Sequence, residues 1–519
     1  MAFIKAENEG LFCGGKPILL RGFGLGGWFL PEGYMWKLYT KCDRPRRMEK
    51  MLIELCGSEY AAYFWKEYYD RYITEKDIEL IAKEGFNSVR LPLNARHLYE
   101  IKDRKMEFIP ETIARVDRLI RWCKKYQIYV VLDMHGAPGG QTGQNIDDSE
   151  KDEPGLFLEE QYKEELITLW QMLASRYAKE EIIAGYDLLN EPLPEWNKQY
   201  YNQLIPLYRR LMKEIRKVDQ NHMIILEGVH WSTDFTIFDE LTEEEAAENI
   251  MLQFHKYWSN PDKESLKEFI DTAKRLKVPL YMGEGGENNC DWYTTAFPLF
   301  ERLGISWSFW SYKKMDCTNS PITFSEPEGL TEIINWIDTK QEIKREKAIW
   351  IFNNFLTAIA EYKVNDKVFH ALKRQVPVII PCEAYDDYQI YSRRMPGADL
   401  RKSEPVTILF ENGKTGEVEY KRYGGEEQPK EENLVLQLYD RDSVGYVFCS
   451  DKEVVTAVVM VSGNGTIRME LNGQEQVIKK EIAGVNSFTG VFRCAASEKH
   501  IIQLICEKGP LVVDTIHLL

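Results

Sequence analysis

From Lys16 to Trp310, short apolar runs alternate with longer amphipathic stretches, and eight such pairs can be counted. Few folds accept that rhythm. A parallel strand is buried on both faces and reads as an almost continuous apolar run, and each return to the next parallel strand needs a crossover long enough for a helix. The spacing predicts strands at 18–25, 87–93, 129–136, 185–191, 223–228, 250–257, 279–284 and 305–310. Helices are expected at 75–84, 111–126, 162–176, 196–218, 266–276 and 292–303. Within 111–126, Ile113, Val116, Leu119, Ile120 and Cys123 recur at helical spacing and form the face laid on the sheet. The expected fold is α/β, an eight-stranded β/α barrel over residues 1–365 with an insertion at about 31–73 that is rich in Tyr and Trp.

Near Val364-Asn365-Asp366 the text changes character. Short β-prone runs follow at 406–410, 434–438, 446–448, 454–461, 466–471, 476–480, 487–493, 500–506 and 512–517, punctuated by Asn-Gly and Gly-Asn-Gly. Runs of that length and spacing predict a C-terminal antiparallel β-sandwich over 376–519. A chain of 519 residues has room for both domains.

Charge narrows the partners. A net charge of -16 argues against nucleic acid, whose binders present basic patches to phosphate. The densest basic stretch, Arg44-Pro45-Arg46-Arg47, is flanked by Asp43 and Glu49 and reads as a solvated face. No apolar run reaches the ~20 residues that cross a bilayer, so no membrane partner is expected. The ten cysteines lack the close spacing of a zinc site and read as reduced structural thiols. The first residues lack a charged segment followed by a long apolar one, which predicts a cytoplasmic protein, or an extracellular one if a signal peptide has been removed.

The apolar run Ala184-Gly185-Tyr186-Asp187-Leu188-Leu189 ends abruptly in Asn190-Glu191-Pro192. In a β/α barrel the C-terminal rim of the strands carries the chemistry. Polar or aromatic groups stand at or near six strand ends: Arg90, His135, Asn190 with Glu191, His255 with Tyr257, Glu284, and Trp310. Closure of the barrel gathers them around one cavity. Two facing glutamates suit hydrolysis of a glycosidic bond, in which one carboxylic acid protonates the leaving oxygen and one carboxylate attacks or stabilises the anomeric carbon. The spacing of the carboxyls, ~5–5.5 Å or ~6.5–9.5 Å, separates retention from inversion. Two nearby carboxylates do not both ionise easily, and an arginine such as Arg90 keeps one of them charged. No metal or other cofactor is expected.

The set Ser88-Val89-Arg90-Leu91-Pro92, Asp133-Met134-His135-Gly136, Leu189-Asn190-Glu191-Pro192, His255-Lys256-Tyr257, Gly283-Glu284 and Trp307-Ser308-Phe309-Trp310 resembles glycoside hydrolase family 5, the cellulase-like retaining β-glycosidases. The resemblance covers roughly Lys16 to Tyr362. It implies Glu191 as acid/base and Glu284 as nucleophile. It also implies Asn190 on the sugar 2-hydroxyl, Arg90 and Tyr257 on the nucleophile, His135 and His255 lining the subsite, and Trp310 as the sugar platform. Where the family often has an aromatic residue after the nucleophile, this chain has Gly285; Glu287 is a weaker rival for nucleophile.

Within that family, Arg21-Gly22-Phe23-Gly24-Leu25-Gly26-Gly27-Trp28 and His135-Gly136-Ala137-Pro138-Gly139-Gly140-Gln141 look like the exo-β-1,3-glucanase branch. The chain departs from it at Thr142-Gly143-Gln144-Asn145-Ile146-Asp147 and at Ser311-Tyr312-Lys313. The expected function is an exo-acting β-glucosidase or exo-glucanase on a β-glucoside or β-gluco-oligosaccharide. The alternatives are an endo-β-glucanase or mannanase and, in another class, a non-catalytic sugar-binding barrel. The C-terminal stretch resembles carbohydrate-binding modules of families 6 and 35, through Cys382-Glu383-Ala384-Tyr385-Asp386, Asp442-Ser443-Val444-Gly445-Tyr446, Gly465–Gly473 and Val513-Asp514-Thr515-Ile516. Such modules often hold calcium near residues matched by Glu383 and Asp514, but Tyr385 replaces a second acid, and no metal is assigned.

Overall fold

Eight parallel strands close into a barrel: β1 Arg21–Gly24, β2 Ser88–Asn94, β3 Tyr129–Gly136, β4 Ile183–Asp187, β5 Met223–Glu227, β6 Ile250–Lys256, β7 Leu280–Gly286 and β8 Ser306–Trp310. The computed structural model describes residues 2–38, 41–420, 426, 429–495 and 498–519. The chain packs as two compact units. The first is Met1–Lys256, Glu268–Gly285 and Gly304–Val364; the second is Tyr257–Lys267, Gly286–Leu303 and Asn365–Leu519.

In the first unit the barrel strands are buried along nearly their whole length, which is why each reads as an apolar run. Helix Pro110–Tyr126 buries Ile113, Val116, Leu119, Ile120 and Cys123, the face read from periodicity. A small antiparallel sheet, Ile4–Glu7, Gly10–Cys13 and Lys16–Ile18, precedes the barrel. It lies at the N-terminal rim: the Ala6 amide donates to Asn249 Oδ1 at 2.7 Å, Lys5 Nζ donates to the Asn221 carbonyl at 2.8 Å, and Cys13 Sγ lies 3.1 Å from the Tyr129 hydroxyl. The C-terminal rim is thereby left for function.

The insertion after β1 forms two helices, Pro45–Cys56 and Ser58–Arg71. The break is at Gly57, whose φ of 82° belongs to the left-handed region, and a Cβ there would lie 1.8 Å from Arg345 Nη2. Most of the insertion's aromatic residues serve packing. Trp36, Phe64 and Tyr68 are buried and meet Phe355 of helix Arg345–Ala360.

In the second unit, nine antiparallel strands among the described residues join into one curled sheet, the antiparallel β domain expected at the C-terminus. The runs expected at 454–461 and 466–471 are one strand, Val454–Leu471, and those at 476–480 and 487–493 are one strand, Gln474–Arg493. Asn472-Gly473, with φ of 52° and 65°, turns the hairpin between them. The Gly463-Asn464-Gly465 signal marks a bend instead. Before it the strand pairs with Leu511–Leu518, and after it with Glu498–Lys508. Such a change of neighbour curls a sheet over its own apolar face. The segments 257–267 and 286–303 belong here because helix Cys290–Arg302 packs on helix Asp366–Lys373 and strand Val378–Pro381. Arg374, fully buried, ties that helix to the sheet by donating to the carbonyls of Thr294, Ala384 and Val447.

All ten cysteines are free. Among the described residues no helix is long and apolar enough to cross a membrane.

The barrel's tightest seam is testable. A Cβ at Gly22 would lie 1.7 Å from the Ser88 carbonyl oxygen of β2. Gly22→Ala is expected to destabilise the protein by ~3 kcal/mol or to prevent folding, read as a lower urea midpoint.

Candidate active site

Strand β4 stops at Asp187, four residues short of its expected end. Neighbouring strands still hold the chain beyond it: the Leu188 amide donates to the Ile225 carbonyl and the Asn190 amide to the Met134 carbonyl. Glu191 then turns into the left-handed region with φ of 43°, a conformation that costs a residue bearing a Cβ ~1–2 kcal/mol. Its amide donates to Glu227 Oε2 at 2.7 Å, which secures the turn.

At the centre of the mouth lies Arg90 of β2, with no exposed side-chain surface. Its guanidinium donates to Glu284 Oε1 at 2.5 Å, Asp187 Oδ2 at 2.8 Å, Asn190 Oδ1 at 2.8 Å and Glu227 Oε1 at 3.0 Å, and it stands 3.2 Å from Asp133 Oδ2. The amide nitrogen of Asn190, Nδ2, is buried with no hydrogen-bond partner, a donor held ready for a ligand oxygen.

Each of the two histidines is held by carboxylates. His135 Nδ1 lies 2.8 Å from Asp133 Oδ2, and its ring stacks on Trp310 with centroids 5.2 Å apart and planes 10° apart. His255 Nδ1 lies 2.7 Å from Glu191 Oε1 and 3.6 Å from Glu284 Oε2. Carboxylate oxygens of Glu191 and Glu284, with a nitrogen of His255 between them, all fall within 4.8 Å of one another. A second such group is Asp133, His135 and Glu284. Both sets have the reach of metal ligands, but they share Glu284, and Arg90 already places a fixed positive charge on its Oε1. A further cation there would face that charge.

The electrostatics divide the groups. Burial raises the Glu191 carboxyl above its usual range and Glu284 adds to the rise, while His255 opposes it. Burial would lower His255, yet Glu227, Glu284 and Glu191 overcome it and hold the imidazole well above its ordinary value. His135 goes the other way, pushed by burial down to about 4. Burial, with Glu227 close by, pushes Asp187 up to about 7. One imidazole is therefore charged and the other neutral at the same pH.

The loop after β3 is held by its own side chains. Asp147 accepts from the amides of Thr142, Gly143 and Ser149 and from the Thr142 hydroxyl. Gly140, at φ of 76°, is required because a Cβ would lie 2.4 Å from that of Ser149. Neighbouring Asp148 binds outward, to Asn94 Nδ2 at 3.0 Å, Arg96 Nε at 2.6 Å and the Arg46 amide at 2.9 Å. The basic run at 44–47 is thus no solvated face. Arg44 is 2% exposed and donates to Ser149 Oγ at 2.6 Å. Asn145 of the same loop donates to buried Glu32 at 2.8 Å, and Tyr34 accepts from Trp310 Nε1 at 3.2 Å. The loops after β1 and β3 form one wall beside Trp310.

Of the residues read from sequence, Arg90, His135, Asn190, Glu191, His255, Glu284 and Trp310 lie in this mouth. Tyr257 directly follows β6 and is counted with the second unit, as is Glu287 beyond β7. Sequence reasoning passed over Asp187, Glu227, Gln253, Glu32 and Asn145 as site residues, and used Asp133 only as part of a motif. A signal for two of these was present: Asp133 and Gln253 stand two residues before His135 and His255, the period that brings side chains to the same face of a strand.

A closed β/α barrel whose C-terminal mouth pairs two buried carboxylates is an architecture that suits a glycosyl hydrolase. The chain belongs to glycosyl hydrolase family 5, since the profile described as Cellulase (glycosyl hydrolase family 5) matches residues 50–316. It is 32% identical over 258 residues to a beta-xylosidase of Phanerodontia chrysosporium, covering 50% of this chain and 52% of that one. It is 28% identical over 315 residues to Endoglucanase C of Acetivibrio thermocellus, covering 49% and 88%. It is 27% identical over 295 residues to a probable glucan 1,3-beta-glucosidase A of Emericella nidulans, covering 53% and 69%. The chain spans about half the length of the beta-xylosidase it matches.

Removing the cation beside Glu191 should leave its carboxyl still harder to ionise. His255→Asn is expected to move the Glu191 carboxyl's titration midpoint upward, followed by NMR of carboxyl-labelled protein, and an unchanged midpoint would show that the pair is not coupled.

Proposed function

We propose that the protein is a retaining β-glycosidase that acts from the end of its substrate, a β-glucosidase or exo-glucanase releasing single glucose units. The observation that carries the mechanism is the approach of Glu191 and Glu284, whose oxygens lie within 4.8 Å. So close an approach between one oxygen of each carboxyl suits direct attack by a carboxylate better than attack by a water held between carboxyl and sugar.

Glu284 is the nucleophile in this reading. Arg90 favours its charged form and fixes one oxygen at 2.5 Å, leaving Oε2 to attack the anomeric carbon. Glu191, raised by burial, is the acid. It gives its proton to the leaving oxygen as the glycosyl–Glu284 ester forms. It then takes a proton from the water that hydrolyses the ester, which returns both carboxyls to their starting states. The unpartnered Asn190 Nδ2 would meet the 2-hydroxyl, where bonds strengthen as positive charge develops on the ring. Trp310, stacked on neutral His135, offers the apolar face for the sugar.

End-on action is supported by the wall beside Trp310. An open endo cleft needs room for sugars beyond the cleaved one on both sides. Here the Asn145–Glu32 bond and the Arg44–Ser149 bond join the loops on one flank.

Glu284→Gln is expected to lower kcat/KM on any aryl β-glucoside by ~10³-fold or more, and Glu191→Gln to do so on phenyl β-glucoside, whose leaving group needs a proton, with the fold intact by circular dichroism. Normal turnover by the Glu284→Gln protein would remove the nucleophile. Products from laminari-, cello-, gentio- and manno-oligosaccharides, followed by NMR at the anomeric proton, should be single β-glucose units. Internal cleavage would favour the endo reading, and α-glucose would mean inversion.

A further inference from the structure

We propose that Glu227, a carboxylate with no step of its own in the reaction above, is the positioning residue that sets the acid/base group Glu191 in place; the inference rests on the acid/base role proposed for Glu191. Glu227 ends β5, two strand positions below the rim occupied by its neighbours' site residues, and is completely buried. Its two oxygens are divided between two tasks. Oε1 accepts from Arg90 Nη2 at 3.0 Å and from Gln253 Nε2. Oε2 accepts the Glu191 amide at 2.7 Å and faces His255 Nε2 at 3.5 Å.

These contacts close a ring. Glu227 holds the backbone of Glu191 by its N–H, and it faces the imidazole whose other nitrogen lies 2.7 Å from Glu191 Oε1. The catalytic side chain is therefore constrained at both ends by one carboxylate. The need is specific, because Glu191 sits in a left-handed conformation that persists only when its surroundings determine it. The group must also be a carboxylate. Donors from Arg90, Gln253, Glu191 and His255 converge on it, and a glutamine would turn an N–H₂ toward at least one of them.

A plainer role is available, since Glu227 could simply offset the charge of Arg90. The two roles differ in what they do to leaving groups. Dinitrophenolate departs without a proton, whereas phenolate and alkoxide need one from the acid. A misplaced Glu191 therefore slows poor leaving groups alone, while a disturbed Arg90 would loosen Glu284 and slow every substrate.

The experiment compares kcat/KM of wild type, Glu227→Gln, Glu227→Asp and Glu191→Ala on 2,4-dinitrophenyl β-glucoside and on phenyl β-glucoside. Both Glu227 variants are expected to lose ~10²-fold on the phenyl glucoside and only a few-fold on the dinitrophenyl one, the same split as Glu191→Ala. The retained dinitrophenyl activity also reports a folded protein. An equal loss on both substrates, no loss on either, or failure of both Glu227 variants to fold would overturn the inference. If Glu191→Ala itself shows no split, the acid/base assignment falls first, and the inference falls with it for that separate reason.

Discussion

One guanidinium inside a barrel, that of Arg90, stands against the carboxylates of Asp133, Asp187, Glu227 and Glu284, and the mouth is arranged around that charge. Burying an arginine or an acid alone is costly, and breaking such a pair by removing one member typically costs ~3–5 kcal/mol because the other charge is left stranded. The four acids come from β3, β4, β5 and β7, so the charges hold those strand ends in register as well as balancing one another. With Arg90 and a charged His255 among more acids than the two can neutralise, some carboxyls keep their protons. Asp187, raised to about 7, is such a group. Glu191, one step further from Arg90 and in contact with His255, is another whose proton is retained above its ordinary range. Proton inventory and geometry at this mouth have a common origin.

Much of this was legible in the chain, and the reasons are physical. Parallel strands buried on both faces write themselves as apolar runs, so all eight are legible, and the polar or aromatic residues ending six of them mark the rim. Strand ends were less legible. The 184–189 run stays apolar after Asp187, yet the regular strand ends there: only single amides, Leu188 and Asn190, still reach the neighbouring strands before Glu191 turns into a left-handed conformation that nothing local forces on a glutamate. Glu227 was missed for a related reason. It ends its strand among apolar residues with no second polar group two positions away, and its importance depends on partners from β2, β4 and β6 that only closure brings together. In the C-terminal unit the same Asn-Gly and Gly-Asn-Gly vocabulary served two ends: one pair turned a hairpin, and the other let a strand change neighbours without interruption.

The arginines at 44–47 teach a complementary lesson. By composition they were an exposed basic run. A loop about a hundred residues later in the chain partners them instead: Ser149 holds buried Arg44, Asp148 accepts from the Arg46 amide, and Asp152 accepts from the half-exposed Arg47 guanidinium. Local charge patterning cannot see a partner so distant in sequence.

That partnership has a consequence for how the scaffold can change. Asp147 ties its loop to itself, whereas Asp148 and Ser149 tie it to residues of the insertion after β1 and to the segment after β2. Neither loop is an independent module. Grafting in a different loop at one position would strand buried arginines or aspartates at the other, so new pocket shapes have to arise by exchanging both together or by small substitutions within the existing weave.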